Sequence, residues 1–382
     1  MVSNWNSLFS MIKDQLARDR LVIVIDEYPY AASANKSLNS ILQHIIDHDF
    51  KDTNIFLILC GSSMSFMENQ VLGEKSPLFG RRTGQLKINP LDYFDAAKFY
   101  PNVSDEDKIK YYACIGGTPY YLSLIDQALS FEDNLHELYF EINGYLLNEG
   151  ILLMKQEFRE PANYNGVLQA IASGSNTLGE IAGFTKLESN LISRYLLTLQ
   201  ELNYIERVIP FGSNPLKGKI SQYQITENFI AFWYRFVLSV RTEIERGNGD
   251  IYFALMLDDL SDFIGPIFEE VTRQYLRRLN AKRQLPFVAK SFGKWWGKDR
   301  RGAVQELDVV VESAVGKELL LGECKWRKSF KVNKAAEQLN ERAEYFDKYK
   351  TYKFIFTKAA VEVEEKFDVK SISIGDYFKA LE

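Results

Sequence analysis

LVIVIDEYPY, residues 21–30, runs five apolar residues straight into two carboxylates. Leu21 to Ile25 is continuous and rich in β-branched residues, the pattern of a parallel strand buried on both faces. Asp26 and Glu27 then fall at its carboxyl end, where open α/β sheets place ligand sites. A second such run, Asn54 to Cys60, leads into Gly61-Ser62-Ser63. Between the two, Ser37 to His48 carries Leu38, Ile41, Leu42, Ile45 and Ile46 at helical spacing. Strand, helix, strand, with polar residues at matching ends, predicts an α/β fold.

The chain of 382 residues is long enough for two to four domains. An apolar fraction of 46% and a charged fraction of 25% exclude a disordered chain. No apolar run is long enough to cross a bilayer, and the N-terminus lacks the basic-then-apolar pattern of a secretion signal. Cys60, Cys114 and Cys324 are far apart and without metal spacing, which fits reduced thiols in the cytoplasm. The net charge of −5 argues against a surface coated throughout for nucleic acid.

Together with LVIVIDEYPY, three stretches carry a family likeness: LILCGSSMSF (57–66), SPLFGRRTGQLKINPL (76–91) and GGTPYYL (116–122). The set resembles the archaeal-type branch of the AAA+/STAND P-loop ATPases. The resemblance implies that Asp26 holds magnesium and Glu27 activates water. It implies also that Ser62 or Ser63 senses the γ-phosphate and that Arg81 or Arg82 answers phosphate charge. Such a division of labour suits phosphoryl transfer, which needs charge neutralisation and a positioned water. The phosphate-binding motif G-x-x-x-x-G-K-[ST] is absent from the 382 residues. Gly73-Glu-Lys-Ser76 lacks the Gly-Lys pair, and Gly218-Lys-Ile220 has Ile where the metal-binding hydroxyl belongs. Only 20 residues precede Leu21, so the N-terminus reads as starting downstream of that loop. ATP, the cofactor of the intact family, is therefore not expected to be hydrolysed by this chain.

Residues 91–160 read as a helical lid, with helices at Leu91–Tyr100, Asp105–Ile115, Tyr120–Leu129 and Asn134–Asn148. Residues 161–232 read as a winged helix. Its three helices are Tyr164–Ala172, Leu178–Ala182 and Ser189–Leu202, followed by a hairpin of Tyr204–Pro210 and Ile220–Thr226. Arg194 stands against Glu188 and Glu201 on the third helix, a poor face for phosphates. His44 and His48 have zinc-gripping spacing, but Ile45 stands where a metalloprotease needs Glu, so the pair reads as a solvated helix face. TENFIAFWYRFV (226–237) reads as core packing.

From Glu270 to Lys334 there are 16 Lys and Arg against 7 Asp and Glu, inside an acidic protein. Aromatics are interleaved in KSFGKWWGKDRRG (290–302), and cations for phosphates with flat rings for bases suit a nucleic-acid groove. Lys294, Trp295, Lys298, Arg300 and Arg301 are its candidates. ELDVVVE (306–312) and ELLLGECKW (318–326) read as strands joined by a turn at Ala314-Val-Gly-Lys317. Alternation puts Glu323 and Lys325 on one face, and a four-residue turn pairs Ser313 with Glu318 and sets Asp308 facing Glu323. Two carboxylates and an amine thus converge, a set suited to Mg²⁺ or Mn²⁺ with a lysine to orient water.

The predicted order is helix Pro266–Leu279, strand Phe287–Trp295, the hairpin, helix Lys334–Phe346 and strand Tyr352–Thr357. With GPIFEEVTRQYL, WWG, ELDVV and GECKW, it resembles the PD-(D/E)XK nuclease domain that closes ATPases of this kind. The resemblance adds Glu269, or else Glu270, to the site, and puts Leu307-Asp308 where the family has Pro-Asp. Residues 1–90 then form an incomplete ATPase core and residues 233–382 a restriction-endonuclease-like α/β domain with connector helices. The implied function is metal-dependent DNA cleavage by an ATP-hydrolysis-deficient chain. The alternative is a non-cleaving DNA-binding regulator with a degenerate nuclease fold. The implied partner is nucleic acid, DNA first, with a homo-oligomer possible and no membrane.

Overall fold

The computed structural model describes residues 4–15, 20–51, 53–158, 160–213, 221–298, 302–327 and 329–381. It divides into two compact units, residues 1–89 with 152–161, and residues 90–151 with 162–382. Among the described residues no helix is long and apolar enough to cross a membrane.

In the first unit β1 (Leu21–Ile25) pairs in parallel with β2 (Ile55–Leu59), Leu21 opposite Ile55 and Ile25 opposite Leu59. The helix α1 (Leu38–His44), prolonged by a wider π turn through Asp49, supplies Leu38, Leu42 and Ile45 to the core. Contrary to the expectation of strands buried on both faces, burial alternates. Ile23, Ile25, Leu57 and Leu59 face the core, whereas Val24 is 56% and Phe56 46% exposed. Apolar runs report β-propensity, not how many faces are covered.

The second unit begins with helices around α2 (Asp105–Ile115). Two predicted helices are shorter than expected. Tyr120–Leu129 is helical only over Pro119–Leu122, and Asn134–Asn148 is replaced by Phe131–Leu135, a π turn to Phe140 and a loop. Glu141 is extended, and Gly144 turns the chain so that Leu146 N–H reaches the Leu138 carbonyl at 2.9 Å. Asn-Gly at 143–144 is a turn signal that outweighs the apolar spacing. Then come α3 (Pro161–Ala172), α4 (Leu178–Thr185), α5 (Ser189–Glu201) and the antiparallel pair β3 (Ile205–Val208) and β4 (Gln222–Ile225). Phe229, Phe232, Trp233 and Tyr234 are fully buried, as core packing requires.

Gly116 and Gly117 of the GGTPYYL stretch are required by space. Gly116 has φ +79°, and a Cβ there would lie 1.9 Å from Glu227 Oε1, while one on Gly117 would lie 2.1 Å from the Leu91 carbonyl oxygen. Glu227 is sealed against this turn and caps Asn228–Phe232 by accepting the Ile230 N–H at 3.0 Å. Burial pushes its carboxyl up to about 7, against the pull of those backbone N–H groups. A carboxyl raised on folding contributes stability that is complete below its unfolded pKa and lost as pH rises through the folded value. Stability should therefore fall by about 3 kcal/mol between roughly pH 4.5 and 7 on this account. Urea midpoints measured across that range should decline less steeply in Glu227→Gln than in the wild type, and parallel slopes would refute the assignment.

The rest of the unit is a five-stranded sheet in the order β5 (Ala289–Lys298), β6 (Val304–Ser313), β7 (Glu318–Lys325), β8 (Lys350–Thr357), β9 (Lys370–Ser373). The first three strands are antiparallel, and β7, β8 and β9 are parallel. Long helix α6 (Gly249–Ala281) comes before the sheet, and α7 (Val332–Ala343) crosses between β7 and β8. Cys324 Sγ reaches Thr272 of α6, whereas Leu319 and Leu321 pack with Ala335, Ala336 and Leu339 of α7. Strand neighbours point to opposite faces, so the two helices cover opposite sides of the sheet.

The predicted start of α6 at Pro266 is corrected: the helix begins at Gly249 and runs through the proline. Met256, Leu260, Ile264, Phe268, Val271 and Tyr275 form one buried stripe across it. Pro266 and Asp262, whose carbonyl loses its donor, both face solvent. That burial outweighs the ~3 kcal/mol cost of an interior proline.

Candidate active site

β6 and β7 pair with Val309 opposite Gly322 and Glu312 opposite Leu319. One step further along the same register Asp308 stands opposite Glu323, as the four-residue turn predicts. Asp308 Oδ2 accepts the Cys324 N–H at 2.7 Å, which pins the carboxylate against β7. On the other side of β6, its pairing with β5 shifts register, β6 advancing three residues from Val310 to Leu307 against two on β5 from Gly293 to Trp295. Bulges re-aim side chains and occur beside active sites. Asp308 lies in this one, opposite Lys294, and both line a cleft of about 100 Å³ with Glu269 and Glu306.

Three carboxylates influence one another here. Burial, with the Glu269 and Glu323 charges added, pushes Asp308 well above the usual carboxylate range. Burial also pushes Glu269 up to about 7, against the pull of Arg273 and Lys294. Glu270, the other helix candidate, is also driven up by burial, but Arg273 and Arg277 outweigh it and hold its carboxyl low. Its oxygens accept from Arg273 Nε at 2.8 Å and Arg277 Nη1 at 2.7 Å. Glu269, one position earlier on α6, is the one that lines the cleft.

Glu323 is differently employed. One of its oxygens accepts from Lys325 Nζ at 2.5 Å and the other from Arg342 Nη1 at 2.5 Å. Arg342 was not foreseen, although it continues the buried face of α7 from Leu339 by three residues. Arg273 was also missed. Nearly buried, it donates to the Asp308 carbonyl at 2.8 Å and lies 3.9 Å from Glu269, one helical turn away.

The hard oxygens of Asp308 and Glu269 suit a divalent cation, which would relieve their mutual repulsion. Among the described residues no three His, Cys, Asp or Glu side chains already converge as a metal cage. The donor chemistry fits Mg²⁺ or Mn²⁺, with Glu323 joining only on release from its two cations.

Of the nucleic-acid candidates, Trp295 packs its ring on Tyr345 and Phe346, at centroid distances of 5.3 and 5.4 Å. Trp295 and its neighbour Trp296 both line the cleft, and Trp296 carries the Lys294 ammonium 5.7 Å from its ring centre. Lys298 is exposed at the end of β5, and Arg300 and Arg301 lie outside the described residues.

In the first unit Asp26 and Glu27 are exposed at the end of β1, beside the end of β2. Glu27 takes left-handed φ 47°, ψ 41°, a strained conformation found at functional sites. Asp26 Oδ1 accepts the Glu27 N–H at 2.9 Å, and Ser62 Oγ reaches Glu27 at 3.3 Å. Ser63 instead caps the short helix Met64–Phe66. Arg81 is bound bidentately to Asp47, at 2.8 and 2.7 Å, so its guanidinium is engaged within the unit. Arg82 bonds Gln85 at 2.6 Å on the surface. The exposed His44 and His48 rings lie 4.6 Å apart.

Residues 1–125 match the model of an ATPase domain predominantly from Archaea, and residues 233–340 that of archaeal and bacterial proteins of unknown function. An uncharacterized protein of Methanocaldococcus jannaschii is 34% identical over 378 residues, covering 98% of this chain and 82% of its own. A second uncharacterized protein of that organism is 41% identical over 56 residues, 15% of this chain and 54% of its own. The solved structure of Can2 from Sulfobacillus thermosulfidooxidans in complex with cyclic tetra-adenylate aligns over 96% of this chain and 90% of its own. Its TM-score is 0.24 at 10% identity, too low for any argument here. The chain belongs to the family of the first archaeal relative, and its own residues 1–125 are of the archaeal ATPase type.

Proposed function

We propose that the C-terminal region cleaves phosphodiester bonds of nucleic acid, DNA in the first instance, with a Mg²⁺ or Mn²⁺ ion. The arrangement carrying this reading is the meeting of Asp308 and Glu269 in one cleft with Lys294, while Glu323 and Lys325 stand on the adjoining strand. On this reading residues 233–382 are a restriction-endonuclease-like domain of the PD-(D/E)XK type and α3–α5 with β3–β4 a winged helix. The protein works in the cytoplasm, and a homo-oligomer is compatible with it. Asp308 and Glu269 would hold the cation, which would supply charge neutralisation for the attacked phosphate and acidify a water. Lys325 then orients that water and favours its hydroxide, and Lys294 holds the flanking phosphate. The test is incubation of plasmid and single-stranded DNA with the protein and Mg²⁺ or Mn²⁺. Nicking that requires the metal supports the reading.

One observation favours a second reading, a DNA-binding regulator that does not cut. Glu323 is already neutralised by Lys325 and Arg342, leaving fewer free donors for metal. DNA binding without nicking in either metal would select it.

The ATPase-type domain would keep Asp26 for magnesium and Glu27 for water. No G-x-x-x-x-G-K-[ST] occurs in these 382 residues to cradle the phosphates. Phosphate release from ATP should stay at background in the purified chain. Turnover that vanished in Glu27→Gln would contradict this.

A further inference from the structure

We infer that Glu106 of α2 and Lys358, just after β8, are a positioning pair that fixes Lys325 through Trp326. For its effect on rate this rests on the nuclease reading of Lys325. Lys358 is attached in three ways. Its backbone N–H donates to the Lys325 carbonyl at 3.3 Å, carrying the β7–β8 ladder one step past the Lys325–Thr357 pair. Its ammonium stands 4.9 Å from the centre of the Trp326 ring. The same nitrogen lies 2.6 Å from Glu106 Oε1.

Trp326 follows Lys325 directly and is buried, its ring 5.4 Å from that of Phe268 on α6. Neighbours on a strand point to opposite faces, so Lys325 turns toward Glu323 while Trp326 turns toward α6. The Lys325 carbonyl and the Trp326 ring flank one peptide bond. Holding both therefore sets the stretch of backbone from which the Lys325 side chain leaves. An exposed ion pair would hold neither firmly, because water screens it and two long side chains must be ordered to make it. Here the Lys358 side chain is only 12% exposed and that of Glu106 30%. Burial alone would raise the Glu106 carboxyl, but Lys358 and Lys110 outweigh it and hold it low. The base of the pair is itself anchored, since Lys108 of α2 stands 5.1 Å from the Phe378 ring near the C-terminus. Neither Glu106 nor Lys358 is among the described residues that line the cleft. What they govern is where the Lys325 amine sits.

The test uses the full chain and three variants. Lys358→Met keeps an apolar stem against Trp326 without the charge, and Glu106→Gln removes the charge at the other end. Lys358→Arg keeps a cation able to meet both the ring and the carboxylate. Acetylation of Lys325 by acetic anhydride, read by mass spectrometry against the exposed Lys290, reports how firmly its amine is held, without DNA or metal. Labelling should rise about threefold in Lys358→Met and in Glu106→Gln, and stay at the wild-type level in Lys358→Arg. In metal-dependent nicking, kcat should fall roughly tenfold in the first two variants with KM unchanged, the mark of a misplaced group rather than weaker substrate binding. Lys325 labelling equal in all four proteins would overturn the inference, as would an unchanged kcat in a chain that nicks. A loss in Lys358→Arg as large as in Lys358→Met would also overturn it, since packing alone would then explain the residue. No nicking by the wild type, with labelling altered as expected, removes the nuclease and upholds the positioning of Lys325.

Discussion

Asp308→Ala should lower metal-dependent nicking by at least about a hundredfold, the scale seen when one electrostatic partner of a transition state is removed. The loss should be accompanied by loss of Mn²⁺ binding in calorimetry, because Asp308 lines the cleft with the Glu269 and Glu323 charges bearing on it. Lys325→Ala should behave differently. It removes one of the two cations on Glu323 and leaves Arg342, so Mn²⁺ binding should persist while the rate falls by roughly a hundredfold. Equal nicking by the wild type and both variants would mean that the activity comes from a contaminant and that no active site lies here.

Arg273→Met should destabilise the C-terminal region by about 3–5 kcal/mol, the scale for breaking a buried ion pair from one side. The side chain is 7% exposed and serves Glu270, the Asp308 carbonyl and, at longer range, Glu269. Methionine keeps the length and apolar volume but leaves two half-buried carboxylates with less neutralisation. Unfolding in guanidinium chloride, followed by circular dichroism, checks it. Adding Glu269→Gln and Glu270→Gln should recover most of the loss, since replacing a whole buried ionic group is often neutral. A loss under about 1 kcal/mol in the single variant would show that solvent reaches these groups.

Much of this arrangement was legible in the sequence, for identifiable reasons. The β6–β7 register follows from the length of the Ala314–Lys317 turn, so Asp308 and Glu323 could be paired without coordinates. Glu269 could be preferred to Glu270, but only the fold shows Arg273 and Arg277 occupying the latter. Trp295, named from the sequence, lines the cleft, and so does its neighbour Trp296, which was not named. At this point β6 advances three residues, Val310 to Leu307, against two on β5, Gly293 to Trp295, and no local pattern announces such a bulge. Arg342 comes from a different element, 19 positions from Glu323, and its pairing depends on how α7 crosses the sheet. The helix through Pro266 was lost because a local rule was applied where long-range burial decides.

The two-stranded β1–β2 pair has a consequence for amide exchange in deuterated water. Among the described residues each of its strands has one hydrogen-bonded neighbour, whereas β6 and β7 each have two. With Val24 and Phe56 wet on its outer face, little apolar area has to be exposed before the pair parts. The amides of Ile23 and Ile58 should therefore label through local opening, while those of Val310 and Leu320 should wait for unfolding of their whole region. Mass spectrometry of peptic fragments would see the two strands near the start of the chain turn heavy first, before any loss of helical signal.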